Sequence, residues 1–422
     1  MEMTRTMLAE GVYLNYLPAR KFKTSVLSAQ FVTPLQRDTA AAHALLTAVL
    51  RRGTVSCPDM GILSARLDKL YGARIDYTVR KKGENQCVGF VASFIDDSFV
   101  PGGERLLEPV AALLGELICD PVTVRGRFVP AYFESEKVNL IDAIRSILND
   151  KRDYASSRLL QEMCAGEAYG VPRLGSEADA EKISLKKLHT VYSDLISTSR
   201  LELFYSGSAD LKRVEQALLA AFATLPRESV QGIPATAEHP ARQEVKYVEE
   251  AMDVTQGKLG MGFSCGSDDS AAILMGNTLF GGSSNSKLFM NVREKLSLCY
   301  YASSVYHRQK GIITVSSGIE FENYQKAYDE ILVQLEAVRK GELEDWELEG
   351  AKSTLLNAYT SMSDSQSKLE NFYLGQIATG HSESPEELAA QVREVTLERI
   401  FRAMESVQLD TVYFLRGKEA ES

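Results

Sequence analysis

The chain is poor in residues for metal or redox chemistry and carries none of the short motifs that mark a nucleophile or a nucleotide site. Its 422 residues include five histidines, His43, His189, His239, His307 and His381, no two within five positions of each other. That spacing excludes a local histidine pair as a zinc chelate. The six cysteines (Cys57, Cys87, Cys119, Cys164, Cys265, Cys299) form no C-x-x-C pair and mostly sit in apolar segments, so they read as buried free thiols in a reducing compartment. There is no G-x-S-x-G, no P-loop and no G-x-G-x-x-G opening a helix after a strand. The run Gly281-Gly282-Ser283-Ser284 follows a helix and lacks the Lys-Ser or Lys-Thr pair of a phosphate loop.

Excess basic charge is missing as well. Lys and Arg number 47 against 57 Asp and Glu, a formal charge of -10, and they are dispersed along the chain. A nucleic-acid partner is thereby excluded, since phosphate neutralisation needs a concentrated basic face. Residues 1–23 have a polar or charged residue every few positions, and the apolar stretches near 40–50 and 106–119 are too short and too amphipathic to cross a bilayer. The expectation is a cytoplasmic protein with no membrane partner. Among the histidines, His43 reads as a packed helix residue, His189 and His239 as solvated surface, and His381 as the neighbour of a helix start at Ser384-Pro385-Glu386-Glu387.

What the chain has is one arrangement written twice. A strand-like stretch at 27–33 leads through Arg37-Asp38-Thr39 into an Ala/Leu helix ending at Arg51-Arg52-Gly53-Thr54. A similar stretch at 259–264 leads through Asp268-Asp269-Ser270 into an Ala/Leu/Met helix ending at Phe280-Gly281-Gly282-Ser283. Another helix and two strands follow in each copy, at 75–80 with 88–95 and at 299–307 with 311–319. Long amphipathic helices come next, carried by Leu106, Leu107, Val110, Leu113, Leu114 and Leu117 and by Tyr324, Ala327, Ile331, Leu335 and Val338. A duplication this long predicts two similar domains related by pseudo-symmetry. Residues 226–243, with Pro226, Gly232, Pro234 and Pro240 among polar residues, have the composition of a linker. The domains are therefore drawn as 1–225 and 244–422, each large enough to bury its own core.

The order of segments resembles the pitrilysin/insulinase family of zinc metallopeptidases, especially its members similar to mitochondrial processing peptidase, over nearly the whole chain. The residues that carry the resemblance are Tyr169-Gly-Val-Pro172 with Leu174-Gly175, Ile183-Ser184, Gly207-Ser-Ala-Asp210, Phe280-Gly281-Gly282, Lys287-Leu288-Phe289, and Arg293-Glu294-Lys295 through Tyr300. The resemblance implies an α+β class with two homologous α/β-roll domains of the LuxS/metallohydrolase-like kind, related by a pseudo-two-fold axis and joined by the linker.

Active members of the family carry H-x-x-E-H on the first helix, shortly before a Gly-Thr. Counted back from Gly53-Thr54, those positions are Ala44, Thr47 and Ala48. A methyl group offers zinc no lone pair, and a threonine hydroxyl is no base near neutral pH. The family's later pair of glutamates falls on Glu136, which is retained, and on Ala143, with Asp142 beside it. The resemblance therefore implies a chain without a metal or other cofactor of its own.

An arginine and a tyrosine seven residues apart, which in the family hold a substrate carbonyl and the tetrahedral oxyanion, fall on Arg293 and Tyr300. A fixed cation and an acidic hydroxyl are the donors a developing oxyanion requires. The plain alternative is a solvated helix charge and a half-buried strand tyrosine. Gly281 and Gly282 would shape a substrate-binding loop near the mouth of the site, or else simply end a helix. The implied function is that of a catalytically incomplete subunit. It lends Arg293 and Tyr300 to a homologous zinc-bearing partner in a heterodimer, with the zinc in that partner and an extended or unfolded polypeptide as substrate. A competing implication is a non-catalytic scaffold or peptide-binding protein, similar to the core subunits of respiratory complexes.

Overall fold

A computed structural model describes residues 3–418. Two compact units emerge. Among the described residues, the first is assembled from 3–145, 171–235 and 365–382, the second from 146–170, 236–364 and 383–418. Among the described residues no helix is long and apolar enough to cross a membrane.

The first unit is built on a six-stranded sheet. Its strands are β1 (Thr4–Ala9), β2 (Val12–Pro18), β3 (Thr24–Pro34), β4 (Arg74–Lys82) and β5 (Asn85–Ile95), joined after the two-residue hairpin strands β6 (Thr123–Val124) and β7 (Arg127–Phe128) by β8 (Arg200–Gly207). The sheet order is β1-β2-β8-β3-β5-β4, so β4 is an edge strand. β3 and β5 pair antiparallel over their whole length, from Thr24 opposite Ile95 to Pro34 opposite Asn85. On one face lie the helices Arg37–Leu50, Leu107–Cys119 and Leu185–Thr198. Their Ala, Leu, Val and Ile side chains form the core with Leu27, Ala29, Phe31, Val88, Phe90 and Ala92, and burial of that apolar area is the main stabilising contribution.

The other face of this sheet is polar and is covered by helix Gln366–Ala378. Ser28 Oγ donates to Glu370 Oε1 at 2.8 Å, Arg80 pairs with Glu370 Oε2 at 2.6 Å, and Gln366 Nε2 donates to the Ser206 carbonyl at 2.8 Å. Buried polar groups of this kind persist only when they are paired. Here the sheet supplies the partners.

The second unit repeats the order. Its strands β9 (Lys246–Met252), β10 (Gly257–Cys265), β11 (Cys299–His307), β12 (Ile312–Ile319) and β13 (Val407–Gly417) run β11-β12-β10-β13-β9. In β10 the alternation of period two is explicit. Leu259, Met261 and Phe263 point into the core, while the Gly260 and Gly262 side of the strand receives helix Lys151–Met163. A Cβ at Gly262 would lie 2.5 Å from Met163 Sδ, so a side chain there would displace the end of that methionine.

The α/β character and the duplicated topology thus agree with the sequence reading. The contiguous division at 226–243 does not coincide with the units. The third helix after the strand pair in each copy, Lys151–Met163 in one and Gln366–Ala378 in the other, belongs to the opposite unit. The physical reason is that each of these helices finds its complement (glycines in β10, buried polar groups on β3) on the other sheet. A second correction concerns His239. It is not solvated surface, because its side chain is 2% accessible and its ring lies between two carboxylates.

Candidate functional site

The positions that the resemblance aligns with the family's metal motif gather in one place within the first unit. Ala44 and Ala48, four residues apart on helix Arg37–Leu50, line a cavity of about 480 Å³ together with Glu136, Asn139 and Ala143 of helix Pro130–Arg145 and with Tyr77 to Arg80 of β4. Ala143 lines it and Asp142 does not. The residues present do not fit a zinc ion. Three of the wall positions are methyl groups, and the hydroxyl of buried Thr47 is spent on its own helix, donating to the Ala44 carbonyl at 2.9 Å. Glu136 is engaged too: Arg52 holds its Oε1 at 2.8 Å, and Asn139 donates to its Oε2 at 3.1 Å. The Arg52 guanidinium lies 4.7 Å from the Tyr132 ring centroid. A cation thus satisfies the carboxylate on this wall, while the position of the family's third ligand is the methyl group of Ala143.

His43 lies one position from the motif and points elsewhere. It is buried, with Nδ1 2.9 Å from Gln86 Oε1 of β5, and burial holds its pKa below the usual histidine value. A neutral packed imidazole is the result. His189 is exposed, as its place on helix Leu185–Thr198 predicts. Burial also raises the thiols of Cys119 to about 11 and of Cys87 and Cys265 to about 12, which removes them as nucleophiles near neutral pH.

Arg293 and Tyr300 are brought together in the second unit. Both line an open cavity of about 400 Å³, with Glu294, Ser297, Leu298, Cys299, Glu320 and Asn323. Three backbone irregularities in a short stretch shape this wall. Residues Leu288–Lys295 form a π-helical segment, in which the Leu296 N–H reaches the Asn291 carbonyl at 3.0 Å. Ser297 adopts φ 50°, a left-handed conformation uncommon for a residue with a side chain. β11 then opens with a bulge, since Cys299 faces Ile319 and Tyr301 faces Gly318, leaving Tyr300 as the extra residue. π-helical turns, left-handed residues and bulges each cost stability and concentrate where a side chain must be re-aimed.

The bulge leaves Tyr300 58% exposed, its hydroxyl donating to Glu320. That hydrogen bond, with the charge of the carboxylate, raises the phenol above its ordinary value, so the hydroxyl keeps its proton as a donor. Arg293 is 3.3 Å from Glu294 Oε1, and its guanidinium lies 4.7 Å from the Phe289 ring centroid. Neither side chain is locked in a buried pair. An exposed ion pair of this kind contributes little and yields readily to a ligand.

Gly281 and Gly282 are a correction. They do not line this cavity but close the π-helical turn Thr278–Gly282. Gly281 is buried, and a Cβ there would come within 2.7 Å of both Leu288 Cδ1 and Ser304 Oγ. Neither glycine has positive φ, so close packing rather than a left-handed cap or a loop at the mouth accounts for glycine at 281. Sequence reasoning also missed Glu320 and Ser297. Glu320 comes from the end of β12 across the hairpin, and nothing in the local sequence marks Ser297 as left-handed.

Comparisons with known proteins place the chain in a family. The model of the peptidase M16 inactive domain matches residues 182–355. A protein of Bacillus subtilis strain 168 described as a "probable inactive metalloprotease", YmfF, is 34% identical over 98% of this chain and 97% of its own length. An "uncharacterized zinc protease" of the same strain, YmxG, is 21% identical over 63% of this chain and 66% of its own. The crystal structure of a conserved protein from Enterococcus faecalis V583 superposes with a TM-score of 0.90 at 28% identity, covering all of both chains. The chain belongs to the M16 (pitrilysin/insulinase) peptidase family, among its members that lack the zinc motif.

Proposed function

We propose that this chain is the catalytically incomplete subunit of a two-subunit M16 peptidase. It supplies Arg293 and Tyr300 to the site of a zinc-bearing partner. The observation that carries the reading is the contrast between the units: one has methyl groups at Ala44, Ala48 and Ala143, where a metal needs donors, while the other has a cation and a phenol on one open, backbone-shaped wall. In the mixed site the partner would generate the nucleophile. Arg293 would hold the substrate carbonyl, and Tyr300 would turn its hydroxyl from Glu320 to the developing oxyanion, a donor whose loss costs about 10²–10³ in rate in comparable sites.

The substrate of this reading is an extended or unfolded polypeptide, held partly by strand addition to an exposed sheet edge. The edge strand β4, whose Tyr77 is 45% exposed, is the candidate edge. The coexistence in one Bacillus strain of a relative described as inactive and another described as a zinc protease supports a division of labour between homologous chains. The reading places the pair in the cytoplasm.

Gentle purification of the tagged chain from its own cell, followed by mass spectrometry, tests the proposal. A homologous chain carrying H-x-x-E-H at equal stoichiometry is the expected result. Recovery of the chain alone, or only with proteins lacking that motif, would overturn it and favour a scaffold.

A further inference from the structure

Three segments of the second unit converge on a buried polar cluster. Cys164 ends helix Lys151–Met163, Glu167 lies in the turn that follows, and His239 lies in the segment before β9. The Cys164 sulfur, a Glu167 carboxylate oxygen and a His239 ring nitrogen all lie within 4.8 Å of one another. Cys164 is fully buried. His239 Nδ1 is 2.6 Å from Glu167 Oε1, and its Nε2 is 3.1 Å from Asp410 Oδ2 of β13. Behind these groups stand two cations. Lys310, itself fully buried, pairs with Glu167 Oε2 at 2.6 Å and donates to the Ala237 carbonyl at 2.7 Å. Arg242 Nε is 3.1 Å from Asp410 Oδ1, which also accepts from Thr411.

We propose that Cys164, Glu167 and His239 form a binding site for a divalent transition-metal ion of the zinc type. Ion pairing accounts for Glu167, Asp410, Lys310 and Arg242, and the buried Cys164 thiol, hydrogen-bonded to the same imidazole, completes a triangle of sulfur, nitrogen and oxygen donors. The donor set of sulfur, nitrogen and oxygen selects zinc or cobalt over magnesium or calcium. Three protein ligands leave the fourth tetrahedral position to water. Asp410 on the far nitrogen of His239 is the outer carboxylate that fixes the tautomer and orientation of a ligating histidine.

The geometry is within reach. Bonds of about 2.0–2.3 Å in a tetrahedral site separate ligand atoms by about 3.3–3.8 Å, so closing the triangle asks for shifts on the order of 1 Å. Binding would release protons from the cluster, because a ligating thiol and imidazole hold a metal ion in their deprotonated forms. Bound metal would clamp the 236–243 segment to the helix end and to β13. The site is independent of Arg293 and Tyr300.

The test is titration of the chelator-treated full-length chain with Co²⁺ and then Zn²⁺. Expected are one equivalent bound, a thiolate-to-cobalt charge-transfer band, and a rise in Tm. Cys164→Ser should abolish the band and weaken zinc binding at least about tenfold, while Cys265→Ser, a buried cysteine outside the cluster, should leave both intact. Should Cys164→Ser not fold, Glu167→Gln, at a partly exposed position, carries the test through its loss of zinc affinity. Absence of stoichiometric uptake, or a band and affinity indifferent to these substitutions, would overturn the proposal.

Discussion

The two units start alike and part company just after their central strand. In the first, helix Arg37–Leu50 runs unbroken for 14 residues and is buried from Ala40 to Leu50. In the second, the matching helix Ser270–Asn277 stops after 8 residues and gives way to π-helical segments, a left-handed serine and a bulge. Alanine is the best helix former and a good core filler. The alanine-rich composition of the first unit's helix, Ala44 and Ala48 included, suits a helix held by packing. Irregular backbone, which costs stability, survives where it aims a side chain.

If this contrast is right, the largest effect should come from rewriting the first unit. Ala44→His with Ala48→His and Ala143→Glu restores three ligands around the 480 Å³ cavity. Equilibrium dialysis should then show one zinc equivalent more than the parent chain binds. Failure to gain it would mean that the cavity is not the counterpart of the family's metal site. Next in size is Glu370→Ala, which strands Arg80 on the polar face of the first sheet. Denaturant unfolding should show a loss of about 3 kcal/mol. In the second unit Gly281→Ala forces a methyl against Leu288 and Ser304; a loss of about 1–3 kcal/mol is expected. The smallest effect is Ser297→Gly, which relieves the left-handed strain and should raise stability by about 1 kcal/mol or less, read as a small rise in Tm.

Much of the fold could be read from pattern. The two strand-helix-strand-strand runs follow periodicities of 2 and 3.6 that burial enforces, and β11 spans the residues 299–307 that the sequence suggests. The family resemblance also collected Ala44, Ala48, Glu136 and Ala143, and they line one cavity. What could not be read depends on partners distant in sequence. The exchange of helices Lys151–Met163 and Gln366–Ala378 between units is decided by complementarity to β10 and β3. His239 looks solvated among prolines and polar residues, yet Glu167 and Asp410 draw it into the interior. Gly281 is explained by Ser304 on β11, which no local pattern announces.

In the proposed division of labour the second unit completes a partner's active site. The most direct measurement is peptide cleavage by the reconstituted complex of this chain with the homologous zinc-bearing chain recovered with it, comparing the native chain with Arg293→Ala and Tyr300→Phe. Both residues are substantially exposed, so each variant should fold and assemble as the parent does. The account predicts that kcat falls by about 10²–10³ while complex formation is unchanged. Cleavage at the native rate with both substitutions in place would contradict it.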